Sequence, residues 1–162
     1  MSLTFKHILV PLDGSLYGER AIPYAVDLAE RFAARVVLFR SAALPPDHWA
    51  GLPTLGLGVG TTEPVLEVLD YEKQLCENYL NDILSSTSAG RNIEIQTGSA
   101  VGHPVETILE HSNSLEAPLI VMSSHGRDGL GRWLMGSVAE KVARHAECPV
   151  MIIRGADEPK GG

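Results

Sequence analysis

Two cysteines in 162 residues, Cys76 and Cys148, are too few and too far apart for a disulfide framework. Neither has the C-x-x-C spacing or the neighbouring histidine of a zinc site, so both read as buried thiols in a reducing compartment. Runs of Lys and Arg are also missing: 13 basic against 20 acidic residues give a formal charge of −7. That balance argues against nucleic acid and anionic membrane surfaces as partners, because nothing neutralises a row of phosphates. No apolar stretch approaches the roughly 20 residues of a bilayer span, and no basic region followed by an apolar segment opens the chain. The expectation is a soluble, cytoplasmic protein built as a single domain over residues 1–162.

What the chain has is alternation between short β-branched runs and longer helical periods. His7 to Leu12 reads as a buried strand ending in the turn signal Asp13-Gly14-Ser15. Residues 17–34 follow with Ala21, Tyr24, Ala25, Leu28, Ala29 and Phe32 on one helical face. Arg35 to Arg40 is a second strand. The Pro- and Gly-rich residues 42–63 carry no period and read as a long flexible connection. A helix then starts at Glu63-Pro64 and runs along Val65, Val68, Leu69, Cys76, Tyr79, Leu80, Ile83 and Leu84. Asn92 to Thr97 alternates like a strand near a sheet edge, and Gly102-His103-Pro104 opens a helix to about Leu115. Pro118 to Ser123, Ser137 to Ala146 and Pro149 to Arg154 complete the pattern as strand, helix and strand. Residues from about 156 onward form a polar tail. Strands apolar enough to be covered on both sides, alternating with helices, imply an α/β fold: an open parallel sheet with helices on both faces. In such Rossmann-like sheets ligands bind beyond the carboxyl ends of the strands, where strand order reverses.

Four glycines, at 126, 129, 131 and 136, crowd the stretch between the fourth strand and the last helix. The spacing Gly131 to Gly136 matches a Walker loop, but Ser137 stands where the lysine belongs, so this is not a P-loop. The turn after the first strand reads D-G-S-L-Y-G and lacks the dinucleotide fingerprint, which disfavours NAD. An anion site is still chemically reasonable. Gly126 lets backbone N–H groups approach a ligand, and Gly136-Ser137 opens a helix whose dipole favours phosphate. Ser137 to Glu140 also has the pattern of a capping box, and Asp13 that of a cap for the first helix, so both readings stand at this point. No nucleophile–base pair, paired acid or metal cluster appears, and any hydrolysis is expected to be slow.

The combination "KHILVPLDGSLYGERAIPYAVDLAERFAARVVLF", "GHPVETIL", "APLIVMSSHGR" and "LMGSVAEKVARHAECPVMIIR" resembles the universal stress protein family over nearly the whole chain. The resemblance implies a five-stranded sheet of order 3-2-1-4-5. Members that bind ATP carry a G-2x-G-9x-G-[ST] pattern. Here Ser123, Gly126, Gly136 and Ser137 occupy its positions, with Ser123 in place of the first glycine. Carried over, the analogy gives Pro11, Leu12 and Asp13 to the adenosine edge and the backbone of Ser41 to adenine. Met122, Ser123, Gly126, Arg127, Gly136, Ser137 and Val138 then surround ribose and phosphates, with Mg2+ accompanying ATP. It also implies a homodimer paired through Pro149 to Arg154. The alternative is a dimeric interaction protein whose nucleotide site is vestigial because of Ser123.

Overall fold

The computed structural model describes residues 4–42, 62–124 and 135–154. Its elements run β1 (His7–Pro11), α1 (Leu16–Glu19), α2 (Ala21–Phe32), β2 (Arg35–Ala42), α3 (Thr62–Ser88), β3 (Ile95–Val101), α4 (Pro104–Ser114), β4 (Pro118–Ser123), α5 (Ser137–His145) and β5 (Val150–Ile153). The five strands are parallel, as their apolar pattern implied, in the order β3-β2-β1-β4-β5, as the family resemblance implied.

Strand side chains alternate between the two faces, and each face meets its own helices. Ile8, Val10, Val36, Leu38 and Val121 pack against Ala21, Ala25 and Val26 of α2 and Leu80 of α3. Leu9, Val37, Phe39, Ile120 and Met122 pack against Val105 and Ile108 of α4 and Ala139 and Val142 of α5. Each fully buried Leu, Ile or Val contributes about 1.5–3 kcal/mol, so the central strands β1, β2 and β4 anchor the sheet from both sides.

Four sequence expectations shift. The helix expected over 17–34 is split at Arg20. Pro23 has no N–H to offer Glu19, and its ring crowds that carbonyl, so the helix restarts there. Tyr24, expected on the buried face, is 52% exposed; Ile22 and Val26 take the inner positions. β3 starts three residues later than Asn92 and extends through Gly98 and Ser99, because pairing with all of β2 from Val36 to Ala42 overrides their weak strand propensity. Cys76 is buried as expected, but Cys148 is only half-buried. The proposed connection at 42–63 contributes Ala42 to β2 and Thr62 and Glu63 to α3; the rest of it, and the tail, lie outside the described residues.

Candidate functional site

β1 pairs with β4 only from His7–Pro118 to Leu9–Ile120. Beyond that point Val121 to Ser123 pair with β5 alone, while Val10 and Pro11 pair with β2. The two strands therefore part toward their carboxyl ends at the place where strand order reverses. The segment after β1 leads to α1 and α2 on one face, and that after β4 leads to α5 on the other, which opens a crevice between them.

On the β1 side, Pro11 closes the strand, and the Leu12 amide donates to the Phe39 carbonyl at 2.8 Å. Asp13 does not cap the helix. Its Oδ1 accepts from the Ser15 amide at 3.0 Å and from the Ser15 hydroxyl at 2.6 Å, and Ser15 Oγ in turn accepts from the Gly18 amide at 3.1 Å. Ser15 is the cap, and Asp13 holds the cap in place. Gly14 between them has φ +83°, a left-handed conformation that favours glycine. Ser41 near the end of β2 donates its hydroxyl to the Gly102 carbonyl, and its own carbonyl faces the Cys76 thiol at 3.8 Å.

On the β4 side, Met122 and Ser123 are buried strand residues. Ser123 is absent from the positive-φ residues, so the serine in place of glycine costs no left-handed strain. Ser124 follows, its amide bonded to the Ile153 carbonyl at 2.9 Å, and its carbonyl accepts from the Gly136 amide at 2.7 Å. That bond ties the start of α5 directly to the end of β4. The Gly136 amide is thereby used within the fold. Gly136 is the N-cap of α5 with no side-chain cap bond, so the capping box is not formed; Ser137 is already helical, and Glu140 pairs with Arg144 instead. The first-turn N–H groups of Ser137, Val138 and Ala139 have no partner within the helix and stand at the positive end of its dipole. Gly126, Arg127, His125, Gly129 and Gly131 lie outside the described residues.

Two residues at this end of the sheet were not singled out from sequence for the site. Arg40, on β2, places its guanidinium 4.9 Å over the Tyr79 ring of α3. The Tyr79 hydroxyl donates to Glu19 Oε1 at 3.0 Å. Burial first, and then the Glu19 carboxylate, push the Tyr79 phenol well above its ordinary range, so it remains a donor. The available signal was period two: Arg40 falls on the same face as Val36 and Leu38, an inward position where a charge needs a partner.

The universal stress protein family model matches residues 4–154. The chain belongs to the universal stress protein family. A universal stress protein of Methanocaldococcus jannaschii is 32% identical over 150 residues, covering 93% of this chain and 82% of that one. Among solved structures, the fold is shared with the universal stress protein UspA from Lactobacillus plantarum, with TM-score 0.75, 24% identity, and 94% and 100% of the two chains covered. It is also shared with a universal stress protein in complex with cAMP, at TM-score 0.58 and 23% identity over 94% and 99% of the chains. A third match, from Arabidopsis thaliana with AMP bound, has TM-score 0.50 and 15% identity over 94% and 93%. Among the described residues, no helix is long and apolar enough to cross a membrane.

Proposed function

We propose that this protein binds ATP in the crevice between β1 and β4, and that the nucleotide serves as a regulatory ligand. The observation that carries the reading is the Ser124–Gly136 hydrogen bond. It joins a strand end to a helix start at the switch point, where orphan backbone donors and a helix dipole favour phosphate. Relatives that share the fold in complex with cAMP and AMP support an adenine nucleotide as the ligand class.

In this reading Pro11, Leu12, Asp13 and the backbone of Ser41 border adenosine. Met122, Ser123, Gly126, Arg127, Gly136, Ser137 and Val138 surround ribose and phosphates. Among the described residues, no three His, Cys, Asp or Glu side chains group as metal ligands. In this reading Mg2+ accompanies the phosphates, held by them and by water, as in many nucleotide sites. Any hydrolysis is slow in this reading, and the bound state itself is the signal. β5 is an edge strand with Met151 38% exposed, and it pairs with its copy from Pro149 to Arg154 in a cytoplasmic homodimer.

Thermal denaturation tests the reading. Binding to the folded state alone stabilises by about 2.7 kcal/mol at a hundredfold excess over Kd. Mg-ATP is expected to raise the melting temperature in a concentration-dependent way. A melting temperature that does not move at millimolar Mg-ATP contradicts it and favours the vestigial site.

A further inference from the structure

We infer that Arg40 is a positioning residue for the nucleotide site, holding the Asp13-Gly14-Ser15 turn in its ligand-ready conformation from a seat built by Tyr79 and Glu19. The inference rests on the nucleotide reading for its consequence, but its geometry stands alone. A Cβ built on Gly14 would lie 3.0 Å from Cζ, Nη1 and Nη2 of Arg40 alike, so the guanidinium lies flat against this residue. The same guanidinium is 4.9 Å over the Tyr79 ring, a cation–π contact. Among the described residues, Arg40 forms no ion pair with a carboxylate, unlike Lys6, Arg35, Arg91 and Arg144.

The seat is fixed in turn. Tyr79 reaches across from α3 to donate to Glu19 of α1, so one side chain joins the helix that follows the turn to the guanidinium that supports it. Glycine at position 14 thus meets two demands at once: a left-handed φ of +83° and a planar cation where a Cβ would stand. The turn is short and half-exposed, and its order depends on Asp13, Ser15 and this support. Removing the plane leaves Gly14 free to sample other conformations, and Asp13 loses its fixed direction.

The test compares wild type with Arg40→Met and Arg40→Lys. In the ligand-free protein, hydrogen exchange is read at the Ser15 and Gly18 amides, which the turn protects. Affinity is read for adenosine and for inorganic tripolyphosphate. Arg40→Met is expected to speed exchange at both amides and to weaken adenosine by the same factor, about three- to tenfold, with tripolyphosphate unchanged. Arg40→Lys keeps the charge but not the plane, and is expected to restore little. Unchanged exchange overturns the inference, as does faster exchange with undiminished adenosine affinity. If wild type binds neither ligand nor Mg-ATP, the nucleotide reading fails and Arg40 loses its role in binding, while the exchange data still report whether it orders the turn. If Arg40→Met does not fold, Arg40→Lys carries the same comparison.

Discussion

The Gly136 amide donates to the Ser124 carbonyl at 2.7 Å, so the last helix begins directly on the end of the fourth strand. Gly136 itself has φ −59° and ψ 147°, values open to any residue. Its importance is therefore steric: a branched side chain there would shadow the N–H groups of the first turn. Gly136→Val is expected to weaken Mg-ATP by at least about tenfold, or ~1.4 kcal/mol, while the circular dichroism of the fold is retained. Calorimetric titration of the variant checks this.

Ser123→Gly separates the two functional readings. Ser123 is an extended strand residue paired in register with Ile153, so glycine supplies no conformation that the serine lacks. ATP affinity is expected to stay within about twofold, while stability falls by roughly 0.5–1 kcal/mol from the added freedom of the unfolded chain. A large gain in affinity would instead support the vestigial site.

Much of this was legible in sequence because strands buried on both faces advertise themselves. "HILVP", "VVLF" and "PLIVMS" can scarcely fold otherwise, and their order with the helices defines the sheet. The turn signal Asp13-Gly14-Ser15 and the glycines from 126 to 136 pointed to the two segments that follow β1 and β4. Hydrogen-bond allocation was not legible. Ser137-x-x-Glu140 has the letters of a capping box, yet Gly136, bonded to the Ser124 carbonyl, takes the cap position and Ser137 is the first helical residue. Asp13 and Ser15 compete for one cap on the same terms, and only the geometry shows that Ser15 takes it. Arg40 and Tyr79 meet across 39 positions of chain, a contact that no local pattern encodes.

Ala33 ends α2 in the left-handed region at φ 51°, a conformation that costs a residue with a Cβ about 1–2 kcal/mol. Ala33→Gly is expected to stabilise the protein by up to about 1 kcal/mol, since glycine also gains freedom when unfolded. Urea denaturation measures it. A destabilised variant would show that the strain at this cap is negligible.

His111 stacks on Phe39 with ring centroids 4.6 Å apart, and burial lowers its pKa below the ordinary histidine value. The unfolded chain therefore binds this proton more readily. Stability contributed here is present above the unfolded value of about 6.5 and is lost as pH falls through it toward the folded value. His111→Phe keeps the stacked ring without the charge. Its melting temperature is expected to fall less than that of wild type between pH 7 and pH 5; equal falls would remove His111 from the account.

Leu80 is 2% exposed and joins α3 to the sheet beside the Arg40 seat. Leu80→Ala is expected to cost about 2–5 kcal/mol, measured by denaturant titration, with the upper part of that range reached if the cavity does not collapse.

The most direct measurement is equilibrium titration of nucleotide-free protein with Mg-ATP, and with AMP alongside. Binding is expected in the micromolar range and is expected to weaken clearly when the β- and γ-phosphates are absent, because the donors at the start of α5 then have less to hold. Equal affinity for both would contradict the phosphate role given to Gly136, Ser137 and Val138, and no binding of either would contradict the nucleotide site itself.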